Sequence, residues 1–233
     1  ITENDITSTT AAYTQAAHIT LSAATSILAN DTATITADAG GVAVAIFKGD
    51  LGGGAVSVGA ATADNDVIST LSAYADNSQI TSSGNGIVRA TSSPTIDAMA
   101  IAGAVSGAVA EAAGLALSGA GAETDNDIIA NTYAYISESD SEKTSTFTSS
   151  SGSITIEALN RATITSDAGG VAVAASYGSG GAASISVGAA IARNDIGGAT
   201  HAYVSNSEVT ANPNITIHAD STAEIIALAF GAA

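Results

Sequence analysis

Asp64-Asn65-Asp66 and Asp125-Asn126-Asp127 each place two carboxylates and an amide within three consecutive residues. Hard oxygen donors of this kind are what Ca²⁺ takes, so a weak calcium site at Asp64, Asp66, Asp125 and Asp127 is the one cofactor chemistry the sequence offers. The equivalent stretch reads Glu3-Asn4-Asp5 near the start and Arg193-Asn194-Asp195 near the end, where a guanidinium replaces a ligand. Only Asn-Asp recurs in every copy. The competing expectation is an Asx-type turn, with the side chains satisfying backbone groups at a corner. The calcium-binding nonapeptide GGxGxDxUx of other repeat folds is absent from the sequence.

Other chemistry is thinly supplied. There is no Cys, hence no thiol nucleophile, thiolate metal site or disulfide. The only histidines are His18, His201 and His218, and His18 and His218 occupy related places beside the Ile-rich strand, as solvent-facing strand positions do. GDLGGG at 49–54 lacks the Gly-Lys-Ser/Thr ending of a phosphate loop, and Lys48 precedes it. A glycan-cleaving solenoid needs several acids converging on one groove, and no part of the chain gains such a group over its siblings. No enzyme activity is expected. The net charge is −17 with five Lys and Arg, which excludes binding to a phosphate backbone and so nucleic acid. The same charge suits an extracellular, cell-surface or secreted setting.

The elements that must hold these residues are repeats. Asn-Asp-Ile/Val followed by Ala-Tyr occurs at Asn4, Asp5 and Tyr13, at Asn65, Asp66 and Tyr74, at Asn126, Asp127 and Tyr135, and at Asn194, Asp195 and Tyr203. The asparagines stand 61, 61 and 68 residues apart. DAGGVAVA recurs letter for letter at 38–45 and 167–174, with Gly40 and Gly41 answering to Gly169 and Gly170. We therefore read one continuous array with units 4–64, 65–125, 126–193 and an incomplete 194–233. Seven additional residues of the third unit fall in SESDSEKTSTFTSSSGS, 137–153, a Ser/Thr-rich surface loop.

Alternation such as ITI, VAVA and SISV places every second side chain on one face, as a strand requires, and Ile, Val and Thr favour that state. The expected fold is all-β, a parallel β-solenoid. Dividing the 61-residue unit by three gives about three rungs per unit, so the tyrosines would recur about 14 Å apart, out of stacking range. GGVAVA is then an inner wall whose glycines form a corner. Thr-x-Thr fragments at 32–36 and 162–166 hint at an ice-binding ladder, but once-per-unit recurrence would leave gaps in it. The apolar run from Ala98 to Ala122 carries one charge, Glu111. Its counterparts hold Lys48 and Asp50 or the polar 176–181 run, so no membrane span is expected.

SVGAAIARNDI at 186–196 followed by AYVSNSEV at 202–209, with their earlier copies, resembles the Ala/Gly/Val-rich repeats of large secreted bacterial filamentous adhesins of the filamentous-haemagglutinin and leukotoxin type. The resemblance runs over essentially the whole chain. It implies a right-handed β-solenoid exported to the cell surface and brings no catalytic residues. Both ends of the chain fall within a unit, which we read as a piece of a longer array with its signal removed upstream. The expected partners are copies of itself head to tail or continuation of the same chain, and, in the alternative, cell-surface glycans recognised by an adhesin stalk.

Overall fold

The computed structural model describes residues 1–140 and 144–233. Among them seventeen strands follow in chain order. The first turn of the chain holds β1 (Thr2–Gln15), β2 (His18–Leu21), β3 (Thr25–Asp31) and β4 (Thr34–Gly49). The second holds β5 (Gly53–Asp76), β6 (Gln79–Ser82), β7 (Gly86–Ser92) and β8 (Thr95–Ala110). The third holds β9 (Gly114–Ser137), β10 (Ser145–Ser149), β11 (Ile154–Asn160) and β12 (Thr163–Gly178). The fourth holds β13 (Ala182–Gly197), β14 (Thr200–Ser205), β15 (Ser207–Ala211), β16 (Ile215–Ser221) and β17 (Glu224–Ala232). Among the described residues there is no helix, and the 98–122 run is β8, a tight connection and the start of β9. Among the described residues no helix is long and apolar enough to cross a membrane.

All pairing is parallel, and four sheets stack the turns in order: β1-β5-β9-β13 with β14 also on β9, then β2-β6-β10-β15, β3-β7-β11-β16 and β4-β8-β12-β17. The chain is thus a parallel β-solenoid. Its register corrects the expected coil size. Asn4 pairs with Asn65, Asn65 with Asn126 and Asn126 with Asn194, so one 61-residue unit is one rung, not three. The reason is strand length. β5 and β9 each run 24 residues without a break, and at about 3.3 Å per residue each is about 80 Å long. A 20-residue rung has no room for such a strand.

The insertion falls where the Ser/Thr-rich loop was expected. Ser137 pairs with Asp76 and Thr146 with Gln79, so six of the extra residues lie between Ser137 and Thr146. Ile154 pairs with Gly86, which puts the seventh between Ser149 and Ile154. Residues 141–143 of that loop lie outside the described residues. The corner from the first sheet to the second is made by left-handed residues at one repeat position: Ala16, Asn77 and Asn206, with φ of 49° to 50°. In the fourth turn the long strand breaks at Gly198, whose φ of 118° and close approach to the Ala130 carbonyl leave no room for a Cβ.

The rung is flattened. The first half of each long strand packs against the fourth sheet, and the second half packs against the third. Where the lumen is widest, Leu71, Ile80, Val88, Ile136, Phe147 and Ile156 fill it. Ile35, Val67, Ile96, Ile128 and Ile164 occupy the middle, and at the far end the buried cluster is alanine, Ala55, Ala108 and Ala116, with Phe47 packed against it in the first turn. Gly41 and Gly170 sit at the narrowing. They lie in mid-strand, in β4 and β12, rather than at a corner. A Cβ on Gly41 would overlap the Ala60 carbonyl and one on Gly170 the Ala189 carbonyl, so the two walls close to backbone contact. Alternation turns the neighbouring glycines outward: Gly40 faces open space, and Gly169 lies under the Phe230 ring.

Candidate functional site

The repeated residues meet in ladders running along the stack. Asn65 stands between two aspartates in an extended strand, so the asparagine points in and the aspartates point out. Asn4 Nδ2 donates to Asn65 Oδ1 (2.9 Å), Asn65 Nδ2 to Asn126 Oδ1 (2.8 Å) and Asn126 Nδ2 to Asn194 Oδ1 (2.8 Å). Asn65 and Asn126 are 0% and 1% exposed. The Asn-Asp landmark is therefore a buried amide ladder in mid-strand, not an Asx turn. The ladder is directional: it leaves the Asn4 carbonyl at the first turn and the Asn194 amide N–H at the fourth. Ser57 and Ser118 (3.3 Å) and Thr124 and Ser166 (2.6 Å) add shorter internal polar links.

The tyrosines, expected to be too far apart to touch, stack face to face. Ring centroids are 5.1 Å apart for Tyr13 and Tyr74, 4.8 Å for Tyr74 and Tyr135, and 5.0 Å for Tyr135 and Tyr203, with interplanar angles of 7°, 1° and 1°. One rung per unit brings each ring over its copy. Burial, then the phenols of Tyr203 and Tyr74 and the carboxylate of Asp76, pushes Tyr135 up to about 12. Tyr74 is raised by burial, Tyr13 and Asp76, and Tyr203 by burial and Tyr133. His201 stacks on Tyr133 at 5.8 Å, while His18 pairs with Gln79 and His218 with Glu157, so the histidines do not converge.

Outside the first sheet, Asp5, Asp66, Asp127 and Asp195 form one column and Glu3, Asp64, Asp125 and Arg193 the next. Burial, followed by the charges of Asp64, Asp127, Asp5 and Asp125, raises the carboxyl of Asp66. Burial, then Asp195 and Asp125, raises that of Asp127. Arg193 ends the second column by pairing with Glu123 and lying 3.8 Å from Asp125. Among the described residues no group of three or more His, Cys, Asp or Glu side chains is arranged to hold a metal ion. Asp64, Asp66, Asp125 and Asp127 stand side by side on a flat strand face, and the calcium expectation assumed a turn that would fold their oxygens around one point.

Sequence reasoning passed over Asp76, at the corner after the first sheet. Its carboxylate accepts from Ser137 Oγ (2.8 Å), Ser139 Oγ (2.7 Å), the Ser139 N–H (3.1 Å) and Asn77 Nδ2 (3.0 Å). Burial pulls its acidity the other way, but the bonds from Ser139, Ser137 and Gln15 outweigh it and hold the carboxyl below its ordinary value. The signal was present in the polar DNS and SNS runs at 76–78 and 205–207, which mark the same corner. At the thin end of the rung an open cleft of about 460 Å³ is lined by Lys48, Asp50, Glu111, Tyr177 and Ser179, among others. Tyr177 is 70% exposed there.

Fold and ladders define the class, a parallel β-solenoid with a wide, flattened rung. Comparison with known proteins finds no match among family models, curated proteins or solved structures.

Proposed function

We propose that this chain is a structural stretch of an extracellular bacterial filament, of the filamentous-adhesin kind, that spans distance by stacking rungs end to end. The observation that carries the proposal is the open, directional ends of the ladders. The first turn offers the Asn4 carbonyl and a Tyr13 ring 56% exposed, and the fourth offers the Asn194 amide and a Tyr203 ring 40% exposed. The contacts that join turn to turn are thus presented again at both faces of the stack, beside rows of unpaired backbone N–H and C=O groups. Open strand edges of this length are a hazard unless they are covered or used. Covering them takes either a second copy adding its strands in register or further turns of one polypeptide. The acidic, Cys-free surface suits the outside of a cell.

Cryo-electron imaging of the purified protein tests this. Fibres with an axial repeat of about 4.8 Å and continuous density between copies are expected. Discrete particles at every concentration, only about 20 Å thick along the stack as four rungs demand, would refute end-to-end assembly of this chain.

A glycan-binding adhesin segment is the second reading, favoured by the cleft with the exposed Tyr177 ring beside Lys48, Asp50 and Glu111. Sugar faces stack on such rings, and a glycan-array signal lost in Tyr177→Ala and kept on deletion of residues 139–144 would support it.

A further inference from the structure

The thin end of the rung is apolar on the outside. Along β4 the outward residues after Asp38 are Gly40, Val42, Val44, Ile46 and Lys48. Val42 and Ile46 are both 82% exposed and Val44 64%. In the next two turns Val44 lies in register with Val105 and Val173, and Val42 with Gly103 and Val171. Between the Asp38 and Lys48 columns no charged side chain stands on this face in any of those turns, in a chain of net charge −17.

Two further observations say what covers it. The first is area. Asp38 to Lys48 is ten residues, about 33 Å, and the three turns that span it are about 14 Å wide, so the face offers about 500 Å² and a pair of such faces about 1,000 Å². That is the size of a weak, reversible pairing, larger than an ordinary packing contact. The second is the placement of charge. Among the described residues Lys48 and Asp38 form no ion pair in their own chain, whereas Arg89 and Arg193 do. They stand at equal distances on either side of the apolar centre, on the same face of the same strand.

We propose that two copies of this chain pack laterally through the outer face of β4, β8 and β12, about a two-fold axis parallel to the stack near Ala43. Rotation about that axis reverses strand direction and keeps the order of turns. Lys48 of each copy then lies over Asp38 of the other, Val42 over Val44, and Ile46 over Gly40. The acidic halves of the two rungs project to opposite sides, which keeps their columns apart. A lipid surface is a poorer occupant, because acids border this face and only one basic residue, Lys48, stands on it. Lateral pairing uses neither end of the stack, so it does not rest on the filament reading.

Sedimentation velocity over a concentration series tests the pairing, with far-ultraviolet circular dichroism as the check on folding. The wild type is expected to reach twice the chain mass by about 100 µM, and Val105→Glu to weaken pairing at least about tenfold. Val187→Glu, on the opposite outer face, leaves pairing unchanged. Lys48→Asp weakens pairing, and Lys48→Asp with Asp38→Lys restores it; this pair of variants decides the matter should Val105→Glu fail to fold. A wild-type monomer throughout, disruption by Val187→Glu instead of Val105→Glu, or failure of the charge swap to restore pairing overturns the proposal. So does flotation of a monomer with phosphatidylcholine vesicles that Val105→Glu abolishes. Fibres without lateral pairs refute this inference alone, and lateral pairs without fibres refute the end-to-end reading alone.

Discussion

Removing one amide from the buried ladder should cost more than removing one at its end, and the difference follows from what is left behind. Asn126 accepts from Asn65 and donates to Asn194, and both it and Asn65 are shut off from water. Asn126→Ala deletes two hydrogen bonds, each worth about 0.5–1.5 kcal/mol net, and strands the Asn65 N–H in the core at a further cost of about 1–3 kcal/mol. Asn194 lies on the outer turn, where water reaches its freed carbonyl. The expected loss is about 3 kcal/mol. Asn4→Ala removes one bond at the open edge of the stack, where the space it vacates lets water reach the freed Asn65 carbonyl, and should cost about 1 kcal/mol. The double variant Asn65→Ala with Asn126→Ala leaves only the end members, both within reach of water, and so should cost about 1–2 kcal/mol less than the sum of the singles. Equilibrium urea unfolding followed by circular dichroism gives all four values. Additivity within about 0.5 kcal/mol, or an Asn126→Ala loss no larger than that of Asn4→Ala, would refute the buried-ladder reasoning.

Three more outcomes follow from the geometry. Gly41→Ala drives a Cβ into the Ala60 carbonyl and should destabilise by about 1–3 kcal/mol or more, while Gly40→Ala, facing open space, stays within about 0.5 kcal/mol; the urea midpoints compare them. Tyr135 has its folded pKa raised to about 12, so its contribution is fully present below the unfolded value near 10 and is lost as pH rises through 12. Ultraviolet titration should therefore show a late phenol missing from Tyr135→Phe, and alkaline unfolding in that window; a single transition near 10 contradicts the stacked, buried ring. Asp66 and Asp127 are raised as well, so the stack should gain stability as pH falls toward the ordinary carboxylate range. Asp66→Asn with Asp127→Asn should raise the urea midpoint at neutral pH by an amount that added salt diminishes, and a lowered midpoint would show the column to be attractive.

Much of this architecture could be read from the residues, and the part that could not has a definite cause. Period, parallel strands, inward Ala and the position of the insertion all follow from alternation and from equal spacing between copies, whereas the valines of GGVAVA, expected on the inner wall, face outward. The number of corners per period does not, because a solenoid with one wide rung and one with three narrow rungs share the same 61-residue repeat. The discriminating signal was the alternation itself, which runs unbroken from Val56 to Tyr74 straight through Gly59 and Asp64-Asn65-Asp66, a distance longer than a narrow rung allows. Once the rung count changes, Asn-Asp and Tyr change meaning together: the copies become direct neighbours, and a residue that can bond or stack on itself gains from recurring at one position. The ice-binding fragments change likewise. Their copies do fall in successive rungs, yet the column Thr36, Asp97, Thr165 and Ile226 is interrupted by composition rather than by spacing.

The same register explains why Arg193 stands where its siblings carry acids. Inside the sheet, identical neighbours attract, since an amide both donates and accepts. Outside, identical carboxylates repel at rung spacing, and Glu3, Asp64 and Asp125 already form two such contacts in a row. A fourth acid would add to that repulsion without any inward compensation, whereas Arg193 meets Glu123 and Asp125 at once. The substitution that spoils a calcium ligand set thus relieves its own column, beside the Asp5, Asp66, Asp127 and Asp195 column that keeps an acid at every turn. The column's role is accordingly electrostatic tuning of the stack, and Arg193→Glu should lower stability most at low salt, with the loss shrinking as salt screens the face.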